Sequence, residues 1–277
     1  MTIVSMAQLG DVEGLARVLA VSGCDLEEED PHGLRALQVA ARHGHADAVE
    51  LLLDEGADPS ATASNGWTVT HIAARYGHAL VLKQLLPSPD LHACDLRGRT
   101  PLHLAALSGC PHTLLFLLHS GANISDVDNN GQTVLHLVCE KGHALLLQVV
   151  LSWDGLDVEE LLRTDKLEQN VFHYAAACGD TRMLSLLLAR LEMGRTKPPE
   201  LMRALNKASA SGWTPLSCAV VHARTSTVHL LVEHGAIVDP SVQEAAQKCA
   251  AQQRAAATDE TQQMLLTLAW RSHWFGG

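Results

Sequence analysis

Sixteen histidines and seven cysteines are spread through 277 residues. That is enough material for a metal centre, an acid–base pair or a thiol nucleophile. Each of those chemistries needs its groups at a set spacing. A zinc site on one helix reads H-E-x-x-H, and a thiolate site reads C-x-x-C. Neither motif occurs, and no histidine clusters with carboxylates at ligand spacing. Ser217 and Cys178 are nucleophile candidates by residue type alone, since neither sits in a G-x-S-x-G elbow or a reactive-cysteine context. The glycines do not form G-x-x-x-x-G-K-[ST], so no phosphate loop is expected. No catalytic, cofactor-binding or metal-ligating residue is therefore assigned. A metal- or thiol-dependent enzyme built on the His and Cys positions stays as an alternative of another class, which stoichiometric zinc in the purified protein would establish.

The histidines are instead periodic, and the period identifies the elements that hold them. Taking His103 as anchor, the matching positions are Gln38, His71, His136, His173 and Ser217, at spacings of 33, 32, 33, 37 and 44. The clearest unit is Asp95–Val127. Thr100 is a helix N-cap, Pro101 takes the first helical position, and Gly109 ends the helix in a left-handed cap. A second helix runs from about Pro111 through Leu114, Leu115, Leu117 and Leu118 to Gly121. The N-caps recur as Thr68, Thr133, Asn170 and Thr214, and the helix-ending glycines as Gly44, Gly77, Gly142 and Gly179. A helix pair this short cannot bury its own apolar face and must stack on copies of itself.

The pieces RTPLHLAALSG, VELLLDEGADPSA, WTVTHIAARYGH, QTVLHLVCEKGH and GWTPLSCAV, at a period near 33, resemble the ankyrin repeat. The resemblance covers residues 1–240 and departs at Arg35–Gln38 (RALQ) and Asn170–His173 (NVFH). It implies an all-α fold, an α-solenoid of stacked helix-turn-helix repeats with β-hairpin-like loops. Residues 1–29 read as an N-terminal capping half-repeat, in which Met1 aligns with the capping threonine. Residues 30–240 hold six repeats, with insertions near 152–163 and 192–207. The second of these reads as a loop around Lys197-Pro198-Pro199 followed by a short turn, PELMRAL. Residues 241–277 read as a C-terminal helical cap and tail. There Ser241 and Glu244 form a capping box, and a last helix from Asp259 to about Phe275 carries Leu266, Trp270 and Trp274 on one stripe.

Bulk composition narrows the functional classes. A net charge of −11 and an aromatic content of 4% fit thin helix pairs and argue against direct gripping of nucleic acid phosphates. The cysteines (Cys24, Cys94, Cys110, Cys139, Cys178, Cys218, Cys249) are odd in number and scattered, which reads as reduced thiols in the cytoplasm or nucleus. MTIVSMAQLGD has no signal-peptide pattern, and no apolar run approaches a membrane span.

The informative residues are those a repeat does not need. In a stack resembling ankyrin repeats, the hairpin tips and the start of the first helix point into a concave groove. Trp67, Arg75, Tyr76, Arg97, Arg99, Gln132, Lys141 and Trp213 fall there, and Trp and Arg are enriched at binding hot spots. The expected function is a non-enzymatic protein–protein interaction scaffold or adaptor. A regulatory inhibitor of a transcription factor or kinase is the alternative. The central arginines suggest an acidic partner segment. On this reading, replacing Arg97 and Arg99 together weakens binding and leaves folding intact.

Overall fold

The computed structural model describes residues 2–20, 25–85, 90–193 and 198–252. The chain divides into two compact units, 1–129 and 130–277. The expected last helix and its Trp270 and Trp274 lie outside the described residues.

Unit one holds four helix pairs: Ile3–Leu9 (α1) with Val12–Leu19 (α2), Ala36–His43 (α3) with Ala46–Asp54 (α4), Val69–Tyr76 (α5) with Ala79–Gln84 (α6), and Pro101–Ser108 (α7) with Pro111–His119 (α8). First helices stack on first helices, α1 on α3 on α5 on α7, and second helices do likewise. The first helices are apolar nearly all round: Pro101 through Ala106 are all buried in α7. Such a helix is stable only between two neighbours. Leu104, Leu114 and Leu117 are fully buried, each stabilising the stack by about 2 kcal/mol.

Unit two holds Val134–Lys141 (α9) with Ala144–Leu151 (α10), Val171–Cys178 (α11) with Thr181–Met193 (α12), Pro198–Leu205 (α13), Pro215–Val221 (α14) with Thr225–Glu233 (α15), and Pro240–Gln252 (α16). α9, α11, α14 and α16 stack in series, so α16 occupies the place of a further first helix. Its start differs from the expected Ser241 cap. The helix opens at Pro240, and the Asp239 carboxylate accepts the Val242 N–H at 3.2 Å, because proline fits the first turn without a donor.

At the N-terminal end, Thr2 and not Met1 caps α1, its hydroxyl accepting the Ser5 N–H at 3.3 Å. The helix is one residue shorter than α7, which moves the cap by one. Both insertions are part of the core. The first forms a 3-10 turn, Val158–Leu161, with Leu156 and Leu161 buried and the Leu156 carbonyl accepting from Arg190. The second forms the two-turn helix α13, longer than the expected turn. It buries Ala204 and Leu205, and the Ala204 carbonyl accepts from Asn170 Nδ2 at 2.9 Å.

The connecting hairpins are turns held from inside, and the only β-bridge among the described residues joins Glu29 and Arg35. Asp30, Asp95 and Asp165 each accept two N–H groups of their own turn through Oδ1, from His32 and Leu34, Arg97 and Arg99, and Leu167 and Gln169. Successive tips are tied by backbone bonds, Leu96 N–H to Asn65 and Asn129 N–H to Arg97 in unit one, and Ala210 N–H to Leu167 in unit two. Among the described residues no helix is long and apolar enough to cross a membrane.

Candidate partner-binding face

The periodic histidines are structural. His71 Nδ1 lies 2.9 Å from the Thr68 hydroxyl and takes the Thr68 N–H, while Nε2 faces the Arg99 carbonyl at 3.0 Å. His173 repeats this with Asn170 and the Trp213 carbonyl. The departing residues do the same work with different atoms. Gln38 Oε1 accepts the Arg35 N–H and its Nε2 donates to the Ala61 carbonyl. Ser217 Oγ accepts the Thr214 N–H at 2.7 Å and donates to the Thr214 carbonyl at 2.8 Å. His136 pairs with Thr133 and packs edge-on against Tyr174, at 5.6 Å between centroids. Burial pulls the pKa of His71, His136 and His173 down, to about 4 for His173.

Of the groups with nucleophilic potential, Ser217, Cys139 and Cys218 are sealed in the packing, while Cys178 and Cys110 are half-buried. Ser217 is fully buried with both lone pair and proton committed to its own turn. Burial pushes the Cys139 thiol far up and Cys218 to about 11, which leaves neither as thiolate at neutral pH. Among the described residues no group of three or more His, Cys, Asp or Glu is gathered to hold a metal ion.

In unit one the exposed chemistry collects on hairpin tips and first-helix ends. The Trp67 indole N–H donates to Asp95 Oδ2 at 3.0 Å, which pins the ring upright beside the next hairpin. Tyr76 is 45% exposed. The Arg42 guanidinium lies over its ring, 5.7 Å from the centroid. Arg42, Trp67 and Tyr76 with His32, Leu34 and Ile72 line a cleft of about 250 Å³. Arg75 is half-buried and Arg97 exposed on the same run of repeats.

Two of the groove assignments are corrected. Arg99 is not a free cation: its Nε and terminal nitrogen hold Asp95 Oδ2 at 2.8 and 2.6 Å, with the carboxylate side chain 1% exposed. Burial alone would raise the Asp95 pKa, but the bonds from Arg99, Trp67 and Arg97 outweigh it and hold it below the usual value. Gln132, in unit two, is buried, its amide donating to the Tyr174 hydroxyl at 2.9 Å, which in turn donates to Asp165 at 2.6 Å. Burial, then Asp165, drive the Tyr174 pKa upward. Lys141 is exposed and paired with Glu140 at 2.7 Å. Trp213 is half-buried, its N–H donating to Ser209 and its carbonyl facing His173.

Arg42 escaped the sequence reading. Its signal was present, since it occupies in α3 the slot that Arg75 occupies in α5, two residues before the helix-ending glycine.

A family profile described as ankyrin repeats, three copies, matches residues 3–93, 37–128, 71–161, 115–197 and 155–244. The chain is 26% identical over 234 residues to transient receptor potential cation channel subfamily A member 1 of Drosophila melanogaster, covering 80% of this chain and 18% of that protein. It is 30% identical over 159 residues to a probable E3 ubiquitin-protein ligase of Oryza sativa subsp. japonica, 50% of this chain and 31% of that one. With an L-asparaginase of Dirofilaria immitis the identity is 32% over 150 residues, 54% and 25% of the two chains. The chain thus spans less than a third of each relative's length. A channel, a ligase and an amidohydrolase share no chemistry by name, so the likeness lies in the repeats and not in a reaction. Ankyrin repeats in general are protein–protein interaction modules. With matches running from residue 3 to 244, and caps, slot residues and glycines placed as the repeat requires, the chain belongs to the ankyrin repeat family.

Proposed function

We propose that this chain is a non-enzymatic scaffold or adaptor that binds a partner protein on the hairpin-and-first-helix face of unit one. The observation that carries this is the division of labour among its polar groups. The described histidines of the repeat slot, Ser217 and the buried thiols Cys139 and Cys218 serve the fold. Tyr76, Leu96 and Arg97 stay exposed on neighbouring repeats. Exposed aromatic, aliphatic and arginine side chains on a rigid support make an interface core.

The test compares proteins cross-linked to the full chain and to a Tyr76→Ala, Leu96→Asp, Arg97→Glu variant with the same melting temperature. Loss of a defined set supports the reading. Capture of the same set by both sinks it. One equivalent of zinc retained through dialysis against chelator would instead overturn the non-enzymatic part.

A further inference from the structure

We propose that the cleft between Arg42, Trp67 and Tyr76 anchors an acidic segment of the partner, with one carboxylate on Arg42 and a neighbouring apolar side chain between the two aromatic rings. The proposal rests on the reading of this face as the protein-binding one and specifies what it binds. At about 250 Å³ the cleft is below the size of drug-like or cofactor pockets and suits one or two side chains. Its floor is apolar, with Ile72 buried beneath. Its Trp67 wall is fixed by the bond to Asp95, so ordering it on binding costs little.

Charge selects the occupant. Arg42 is half-buried, its guanidinium lies over Tyr76, and it has no carboxylate within ion-pairing distance among the described residues. Arg42 and His32 also line an adjacent cleft with Glu28, Glu29 and Asp30; Asp30 is committed to its own turn, and none of the three is within ion-pairing distance of Arg42. The acid nearest the Trp67 wall, Asp95, is already neutralised by Arg99. Arg75 and Arg97, half-buried and exposed, continue the cationic series along the same repeats. Burial first, then the Arg42 charge, hold the His43 pKa down. A guanidinium carries a fork of N–H donors that can take a carboxylate by two parallel bonds. Nucleic acid would offer anions too, but the chain's net charge of −11 opposes an extended phosphate backbone.

A random 12-residue peptide library displayed on phage and selected on the full chain tests this. The expected consensus is Asp or Glu beside an aliphatic or aromatic residue. Affinity of the selected synthetic peptide should fall about tenfold in Arg42→Gln, be only partly retained in Arg42→Lys, which keeps the charge and loses the fork, and weaken with added salt. Selection on Arg42→Glu should move the consensus to Lys or Arg. A neutral or basic consensus whose binding Tyr76→Ala still abolishes overturns the acidic proposal and leaves the face. Peptides indifferent to Tyr76→Ala, or no binder at all, overturn both. Displacement of the peptide by a single-stranded oligonucleotide at equal concentration would assign the cleft to phosphates and also overturn it. Circular dichroism of each variant confirms that it is folded.

Discussion

The imidazole of His71 reaches 28 residues along the chain to face the backbone carbonyl of Arg99 at 3.0 Å. Its other nitrogen accepts the Thr68 N–H, so the ring is neutral with the proton on Nε2. One fully buried side chain therefore caps its own helix and fixes the residue just before Thr100, the cap of the next. His71→Ala leaves two buried groups unsatisfied and a cavity, and should cost about 3 kcal/mol in urea unfolding. His71→Gln should cost about 1 kcal/mol, since Gln38 already fills this slot with an acceptor and a donor.

Stability should decline in mild acid. The folded pKa values of His71, His136 and His173 lie below the ordinary histidine value, so the unfolded chain takes up protons first as pH falls. Their contribution is intact above the unfolded pKa near 6.5 and is lost progressively down to about 4, the folded value of His173. His173 alone accounts for roughly 3 kcal/mol across that window. Urea midpoints at a series of pH values should show this slope, reduced in His173→Gln. A flat profile between pH 7 and 4.5 would contradict it.

The two hairpin arginines should separate. Arg99→Ala strands a buried carboxylate that keeps only its Trp67 and backbone donors, and should cost about 3 kcal/mol. Arg97→Ala, at an exposed site, should stay within about 0.5 kcal/mol. Asp95→Asn introduced with Arg99→Ala should recover part of the loss. Thermal melts of the four proteins decide it.

Two glycines of similar backbone should answer differently to alanine. Gly44 and Gly56 have φ of +79° and +91°, a conformation that costs any other residue about 1 kcal/mol. A Cβ on Gly56 meets nothing within 4 Å, whereas on Gly44 it would lie 2.6 Å from His78 Nδ1. That ring cannot step aside, since Nε2 faces the Arg42 carbonyl and the ring stacks on Tyr76. Gly56→Ala should cost about 1 kcal/mol and Gly44→Ala two to three times that. Equal costs would contradict the packing argument.

The repeat was legible because its signals are local. A cap, a glycine and a histidine slot each act within one turn of chain, and Asn170 and Gln38 work where the pattern was broken. The site was less so. Gln132 is buried by Tyr174, 42 residues on, and no spacing rule reports that pairing. Asp95 and Arg99 meet because the turn between them closes back on itself, whereas the sequence reading has Asp95 only as the start of a repeat and Arg99 as a groove residue. Arg42 required comparing repeats slot by slot and not residue by residue.

The ties between repeats run in two directions and are not equal. Gln38, His71 and His173, all buried, reach forward to carbonyls of the following repeat. His45, His78 and Arg224, half-buried or exposed, reach backward to Gln8, Arg42 and Ala177. Shortening the chain from its C-terminal side thus uncovers the slot donors, while shortening it from the N-terminal side unties turn groups that water already reaches. The stack is stitched in both directions, and a repeat lost from either side also uncovers the apolar face of a first helix.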